Sequence, residues 1–212
     1  MQREQGSKKP NPPTGKPSAN SSRAVLKMPA IVLTVGHSTR PIEEFLPLLD
    51  AHGVKRLVDV RTLPRSRHNP QFNKDSLPEA LKRMGISYVH MPSLGGLRRP
   101  RKDSVNLGWR SAGFRGFADH MQTAEFKEAL QELIAMAEQQ RVAIMCAEAV
   151  PWRCHRSLIS DALLARGVRV EEIAGLTRTQ PHKLTPFAHV FGTEVTYPGL
   201  PFGEEQNEQK SS

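Results

Sequence analysis

The sequence is poor in cysteine and in aromatic residues, and it has no long apolar run. Only two of its 212 residues are cysteine, which is too few for the disulfide framework of a small secreted protein. No apolar stretch approaches the roughly 18 residues that are needed to cross a membrane, and no apolar segment of the signal-peptide type begins the chain. These absences predict a cytoplasmic protein that has no membrane partner.

The sequence also lacks the glycine-rich fingerprints that bind the phosphates of ATP or NAD, so no cofactor is expected. Positive charge, in contrast, is abundant, and the formal net charge is +9. Such an excess favours an anionic partner, either a small molecule or a nucleic acid, although a solvated basic tail would account for it equally well. The sequence does not indicate an oligomeric state.

The two ends of the chain differ in composition from its middle. Residues 1–29 carry five prolines and six basic residues, and they cannot bury enough apolar surface to offset the entropy of the free chain. Residues 193–212 are mostly polar. We therefore expect a disordered basic tail at 1–29, one α/β domain at 30–192 and a polar tail at 193–212.

Strand and helix patterns alternate between the tails. Apolar runs predict five strands, at residues 31–35, 57–60, 86–91, 142–146 and 168–173. Helical spacing predicts a helix from Ile42 and another over 155–165, and capping residues predict helices after Ser76 and Thr123, whereas 92–116 is expected to be a connection. This order predicts a three-layer domain with a mostly parallel sheet of about five strands and helices on both faces.

Several polar residues stand where the predicted strands end. His37 and Ser38 follow the first strand, Asp59 and Arg61 end the second, and Cys146 ends the fourth. The carboxyl ends of parallel strands form the binding crevice of such sheets. We therefore expect these residues on one rim, and we expect the segment after residue 175, including the imidazoles of 182 and 189, to fold over that crevice.

The stretch from Val142 to Arg156 carries the strongest chemical signal. An apolar strand ends at Cys146, a short loop follows, and Cys154, His155 and Arg156 open a helical pattern. The free N–H groups and the dipole of a helix N-terminus lower the pKa of a thiol and favour an anion. Both cysteines are therefore candidate nucleophiles, His155 is a candidate base, metal ligand or orienting group, and Arg156 is a candidate anion clamp.

Each of these residues also has a plainer interpretation. A free cysteine is commonly a small core residue, and Arg156 could pair with Glu148 or Asp59 instead of a ligand. The spacing of Cys146 and Cys154 is longer than the roughly two to four residues usual between zinc ligands, and the chain has no second cysteine pair, so no metal site is predicted. A reversible disulfide between the two cysteines is a further alternative.

Two basic segments flank this turn in the expected fold. The first contains Arg61, Arg65 and Arg67, and the second contains Arg99 among the four cations of residues 97–102, with an interleaved tryptophan and phenylalanine downstream. Cations mixed with aromatic rings suit phosphates and stacked bases. We expect these four arginines, together with His37 and Ser38, to bind an anion. Asp59 is expected to orient an arginine or His155.

Five motifs follow one another along the chain. They are Thr34-Val-Gly-His-Ser38; Val58-Asp-Val-Arg61 with Pro64-Arg-Ser66 and Asn69-Pro-Gln-Phe72; Leu94-Gly-Gly96; Cys146-Ala-Glu148 with Cys154-His-Arg156; and His182-Lys-Leu-Thr185. Together they resemble the bacterial "domain of unknown function 488" family over about residues 31–190. The resemblance implies an α/β fold and no established reaction.

The strand-loop-helix arrangement is also similar, in architecture alone, to the sites of rhodaneses and cysteine phosphatases. That resemblance implies a thiolate within a loop of N–H groups and an arginine that clamps an oxyanion. Arg156 stands ten residues after Cys146, farther than in those loops.

Two hypotheses follow for the function. In the first, the protein is an enzyme, a transferase or hydrolase, in which a cysteine thiolate beside Arg156 and Arg61 attacks a phosphorylated or sulfur-containing anion. In the second, it is a nucleic-acid- or nucleotide-binding module, associated with repair or modification, whose cysteines are structural or sense redox state.

Overall fold

The computed structural model describes residues 30–199, so the tail expected at residues 1–29 lies outside the described residues. The described chain forms the strands β1 (Ile31–Gly36), β2 (Arg56–Asp59), β3 (Ser87–His90), β4 (Val142–Cys146), β5 (Arg169–Ile173), β6 (Thr179–Pro181), β7 (His189–Phe191) and β8 (Glu194–Thr196). Its α-helices are α1 (Ile42–Ala51), α2 (Leu77–Arg83), α3 (Ala112–His120), α4 (Ala124–Gln139) and α5 (Arg156–Leu164).

Six of the strands form one sheet in the order β3-β2-β4-β1-β5-β6. Strands β1 to β5 run parallel, and β6 is antiparallel to β5 at the edge. The α/β fold and the mostly parallel sheet are therefore confirmed. The sixth strand was missing from the expectation because its three residues are too short to show a strand period and end in a proline, which is tolerated at a sheet edge.

Helices cover both faces of the sheet, so the three layers are confirmed as well. Alternate residues of the strands enter opposite cores, as Val32 and Leu33 of β1 show. On one face the strands pack against buried side chains of α3, α4 and α5. On the other face they pack against α1 and α2, where Phe45 and Leu81 are fully buried.

The two capping residues predicted from the sequence behave differently. The Thr123 side chain accepts a hydrogen bond from the Phe126 amide at 3.3 Å, which confirms the start of α4. Ser76 makes no side-chain cap, so the capping box expected there is wrong. Its backbone already lies near the helical region, with φ −107° and ψ −44°, whereas a capping side chain needs an extended backbone to reach the free amides.

Helix α3 begins within the segment, residues 92–116, that was expected to be a connection. The two glycines of this helix, Gly113 and Gly116, argue against a helix because glycine weakens helix interiors. At Gly116, however, an added Cβ would lie 2.5 Å from the carbonyl oxygen of Arg98. The glycine lets the helix approach the preceding chain closely, and this packing requirement outweighs the helix propensity.

The C-terminal part of the described chain packs against α5 and not over the crevice. β6 extends the sheet beside β5, and β7 and β8 form a separate hairpin with a turn at Gly192, whose φ is +59°. Val195 and Tyr197 are buried, so the boundary expected at residue 192 falls inside a packed element. The segment folds back along the domain, but the expectation that it covers the crevice is wrong.

None of the helices between residues 30 and 199 is long and apolar enough to span a membrane.

Candidate functional site

The carboxyl ends of three neighbouring strands form the rim of a cleft. Strand β4 lies between β2 and β1, and the register places Gly36 beside Cys146 and Asp59 beside Met145. A cleft of about 650 Å³ opens at this edge. The sheet order therefore brings together polar residues from stretches of sequence that are more than 80 residues apart.

Seven of the eleven candidate residues line this cleft: His37, Ser38, Arg61, Arg65, Cys146, Cys154 and His155. The other four, Asp59, Arg67, Arg99 and Arg156, are not part of its lining. Further residues of the lining include Gly96, Leu97, Ser111, Phe114 and Arg153. The sequence had singled out Gly96 within a motif, Leu97 within the second basic segment and Phe114 as a downstream ring, but it did not place them at the cleft; Ser111 was not singled out.

Two thiols and one imidazole converge at the floor of the cleft. The Nδ1 atom of His155 lies 3.9 Å from the Cys146 sulfur and 3.7 Å from the Cys154 sulfur. The three atoms all lie within 4.8 Å of one another. Both cysteines are free thiols, with Cys146 partly exposed and Cys154 buried. Cys146 is the last residue of β4, and Cys154 directly follows the 3-10 turn Pro151–Arg153 that leads into α5. The loop between the two cysteines therefore folds the chain back onto itself.

The orientation of His155 is fixed from three sides. Its Nε2 atom lies 3.0 Å from the carbonyl oxygen of Val60 and donates to it, which leaves the Nδ1 lone pair directed at the two sulfurs. The ring packs edge-on against Phe117 at 5.1 Å. It also rests on Gly96, where an added Cβ would lie 2.5 Å from Nδ1. The glycine is therefore needed for the imidazole to hold its position.

The two thiols are not electrostatically equivalent. A hydrogen bond from the Cys146 thiol lowers the pKa of Cys154, and the neighbouring His155 and the charge of Arg156 lower it further against the cost of burial. The pKa of Cys146 is raised, first by this hydrogen bond to Cys154 and then by burial. The surroundings therefore favour negative charge on Cys154 over negative charge on Cys146.

Arg156 supports the loop from below and does not face the cleft. Its side chain is fully buried and donates to Thr34 Oγ1 and to the carbonyl oxygen of Glu148, each at 2.7 Å. Its Nε has no hydrogen-bond partner among residues 30–199. The alternative pairing with the Glu148 or Asp59 carboxylate does not occur within the described residues. The arginine instead ties β1 to the loop and places a buried positive charge near the thiols.

Asp59 and Arg61 form the second rigid part of the rim. The Arg61 guanidinium binds Asp59 in a two-pronged pair, with Nε–Oδ1 at 2.8 Å and Nη2–Oδ2 at 2.6 Å, and it also donates to the carbonyl oxygen of Phe72. Tyr88 donates to Asp59, and burial together with this carboxylate raises the pKa of the phenol. Asp59 was expected to orient either an arginine or His155. It binds Arg61 and does not contact His155.

His37 completes this network as a neutral imidazole. Burial, the largest cause, lowers the pKa of His37 to about 4, and the charge of Arg61 adds to the effect. Its Nδ1 donates to the carbonyl oxygen of Ser38 at 2.7 Å, and its Nε2 accepts from Arg61 Nη1 at 3.1 Å. His37 therefore has no free proton for an anion, and its chemical role is to hold Arg61.

The end of β1 bends sharply to follow the loop. The amides of His37 and Ser38 donate to the carbonyl oxygens of Cys146 and Ala147, and Ser38 has a φ of +50°, a conformation that is uncommon for a residue with a side chain. At Gly36 an added Cβ would lie 2.0 Å from the carbonyl oxygen of Glu148. The glycine of the Thr34–Ser38 motif thus lets the cysteine loop cross β1.

The second basic segment is partly neutralised by acidic neighbours. Arg98 pairs with Glu125 at 3.5 Å, and Arg101 pairs with Asp103 at 2.7 Å. Arg99 and Arg67 are exposed but lie outside the cleft lining. The indole of Trp109 stacks on Phe114 at 4.6 Å and packs against Tyr197. These aromatic rings are thus already used within the domain, and only Phe114 reaches the cleft.

Comparison with known proteins identifies the family. Residues 41–163, more than half of the chain, match the family described as "Domain of unknown function DUF488", so this chain belongs to the DUF488 family. No curated protein and no solved structure matches it. The architectural likeness to rhodanese and cysteine-phosphatase sites finds no support in these comparisons.

Proposed function

We propose that this member of the DUF488 family is a cysteine-dependent transferase that moves a sulfur atom from a small anionic donor to a thiol acceptor. The observation that carries the proposal is the convergence of Cys146, Cys154 and His155 within 4.8 Å at the floor of an open cleft. A thiol, a base and a bound substrate in contact are the requirements of nucleophilic catalysis.

The surroundings of Cys154 favour its role as the nucleophile. Nδ1 of His155 accepts the thiol proton, and the resulting imidazolium keeps its Nε2–H bond to the Val60 carbonyl. Cys154 also precedes α5, whose N-terminus stabilises negative charge. The buried guanidinium of Arg156 acts in the same direction. Cys146 then serves as the neighbour whose S–H donates to the thiolate.

The reaction proceeds in two balanced displacements. The Cys154 thiolate attacks the outer sulfur of a thiosulfate-type donor, the S–S bond of the donor breaks, and sulfite leaves with the electron pair. This step leaves a persulfide anion on Cys154. The thiolate of the acceptor then attacks the outer sulfur, which forms the acceptor persulfide and returns the Cys154 thiolate. The cysteines undergo no net oxidation.

The positions of the arginines favour sulfur over phosphate chemistry. A phosphoryl group needs a planar guanidinium that is free to clamp its oxygens. Arg61 is held by Asp59 and Phe72, and Arg156 by Thr34 and Glu148. The exposed Arg65 and Arg153 at the rim can attract an anion but do not form such a clamp. A second thiol beside the nucleophile, in contrast, suits an intermediate whose reactive atom is sulfur.

Nucleic-acid binding has less support. Half of the cations in residues 97–102 pair with acidic neighbours, and Trp109 is packed among other rings. A nucleic-acid interface would instead leave cations and aromatic faces open. Binding of a labelled oligonucleotide at increasing salt tests this alternative, because counterion release makes such binding fall steeply with salt.

Intact-protein mass spectrometry after incubation with thiosulfate tests the sulfur-transfer proposal. The metal-free wild type should gain the mass of one sulfur atom, which a thiol acceptor should remove. C154S should not gain it, and C146S should still gain it. H155Q should form the persulfide at least about tenfold more slowly, whereas H120Q, which alters a buried histidine bound to Ser93 outside the cleft, should match the wild type. Absence of a persulfide from the wild type, or its formation in C154S, contradicts the proposal.

A further inference from the structure

The geometry points to a second property of the same three side chains: Cys146, Cys154 and His155 form a binding site for one zinc ion, with an open coordination position that faces the cleft. This inference goes beyond the proposed function and does not depend on it, because it requires only the three donor atoms. The sequence named His155 as a candidate metal ligand but predicted no metal site, because the spacing of the two cysteines is long and the chain has no second cysteine pair.

The separations between the donor atoms are close to those of a tetrahedral zinc site. Zinc binds thiolate sulfur at about 2.3 Å and imidazole nitrogen at about 2.0–2.1 Å, so two ligand atoms in a tetrahedron lie about 3.5–3.8 Å apart. The two sulfur–nitrogen distances here are 3.7 and 3.9 Å, and all three atoms lie within 4.8 Å. Zinc binding therefore needs side-chain shifts of only a few tenths of an ångström to about one ångström.

The histidine is already held as a metal ligand is held. Its Nε2–H donates to the Val60 carbonyl, so the lone pair of Nδ1 faces the sulfurs. Zinc-binding histidines almost always donate the second ring N–H to a carbonyl or carboxylate in this way, which fixes the tautomer. Gly96 and Phe117 keep the ring from turning. The cost of ordering the ligand is thus already met in the metal-free fold.

The ligand set selects for a soft ion and leaves one position open. Two thiolates and one imidazole favour zinc over magnesium or calcium, which prefer oxygen ligands. Two thiolates balance the charge of Zn²⁺. Because all three residues line the cleft, the fourth position is directed to solvent or to a bound anion, as in zinc sites with three protein ligands that act on substrates.

Zinc binding and the thiol reaction exclude each other. Zinc would coordinate both sulfurs, withdraw electron density from them and hold them at the metal, so neither would be a free thiolate that attacks a donor. A zinc-loaded protein would therefore be inactive in sulfur transfer, and chelation would restore the activity.

Competition between the metal-free full-length protein and a chromophoric zinc chelator tests the site. We expect one zinc per chain, and a roughly 100-fold or larger loss of affinity in C146S, C154S and H155Q. Cobalt(II) provides a second readout, because thiolate ligation gives a sulfur-to-cobalt charge-transfer band that each cysteine variant should weaken. H120Q is the matched control and should bind zinc like the wild type.

Two further measurements keep the outcome clear. Circular dichroism shows whether each variant is folded, and alkylation of both thiols in the folded wild type should abolish zinc binding without any substitution. Binding of less than one zinc per chain at saturation, or unchanged affinity in the folded variants, would overturn the inference. Normal zinc binding without persulfide formation would reject the proposed function alone. Persulfide formation without zinc binding would reject the zinc site alone.

Discussion

Helix α5 takes part in two polar clusters that are built on opposite plans. Near its middle, the fully buried Asp161 accepts hydrogen bonds from His182 Nε2 at 2.8 Å, from the Thr185 amide at 3.1 Å and from the Tyr197 hydroxyl at 2.8 Å. Both carboxylate oxygens are used, and burial together with the carboxylate raises the pKa of Tyr197. This cluster attaches the C-terminal segment to the helix.

At the start of the same helix, the polar atoms make long contacts with one another, with the two sulfur–nitrogen distances at 3.7 and 3.9 Å. The two sulfurs and the Nδ1 atom of His155 point at a common space that is open to the cleft. Buried polar groups are normally paired, so a group that leaves lone pairs directed at a cavity has a partner outside the protein or a chemical role. The comparison teaches that a cluster closed on itself indicates stability, and one that converges on an open cleft indicates function.

Removing the Asp161 carboxylate should cause the largest loss of stability. In Asp161→Ala the buried Tyr197 hydroxyl and two partly buried donors lose their acceptor, and we expect the free energy of unfolding to fall by roughly 3–5 kcal/mol. Urea denaturation measures this loss. Persulfide formation should persist in the fraction that remains folded, because Asp161 does not line the cleft.

Asp103→Ala is the control for that experiment. Asp103 also pairs with an arginine, but it is largely exposed, with 71% of its side chain accessible. Exposed pairs contribute little to stability, so no measurable change is expected. Equal losses in the two variants would show that the buried cluster is not what holds the C-terminal segment.

Acid should weaken the fold through His37. The pKa of His37 is lowered from 6.5 to about 4 in the folded protein, so the unfolded chain binds the proton first as the pH falls. The stabilising contribution is complete above pH 6.5 and is lost as the pH falls towards 4. From pH 7 to pH 4 the difference in unfolding free energy between wild type and H37Q should change by about 3 kcal/mol.

The control for the pH experiment is a histidine that does not take part in a buried network. His68 is exposed, so H68Q should show the same pH dependence as the wild type. A wild type and an H37Q variant that lose stability in parallel would show that His37 does not hold Arg61 in its neutral form.

The sequence allowed the strand ends to be predicted but not the direction of the side chains around them. Short continuous apolar runs located β1, β2 and β4, and the parallel-sheet rule then placed His37, Asp59 and Cys146 on one edge. The burial of Arg156 could not be predicted, because it depends on how the loop crosses β1 at Gly36. The adjacency of His155 to both sulfurs likewise depends on packing against Gly96 and Phe117, contacts between residues distant in sequence.

Gly96→Ala should disturb the cluster of Cys146, Cys154 and His155 and leave the Asp161 cluster intact. The added methyl group would lie 2.5 Å from His155 Nδ1, so the ring must move away from the sulfurs. We expect a loss of about 1–3 kcal/mol in stability and at least a tenfold decrease in the rate of persulfide formation. Stopped-flow kinetics with thiosulfate measures the rate.

Gly175→Ala is the matched control, because nothing lies within 4 Å of an added Cβ at that position. Its rate should equal that of the wild type. A G96A variant with an unchanged rate would mean that the position of the imidazole does not control the reactivity of the thiols.

The smallest effect is expected from the exposed cations at the mouth of the cleft. Arg65 lines the cleft and Arg67 does not, although both are exposed and only two residues apart. Arg65→Ala should raise the thiosulfate concentration needed for half-maximal persulfide formation by roughly two- to fivefold, and added salt should reduce this difference because it screens exposed charges. Arg67→Ala should leave that concentration unchanged. Equal effects of the two substitutions would mean that the net charge of the surface attracts the donor, whereas an effect of Arg65 alone ties anion recognition to the cleft that holds the two thiols.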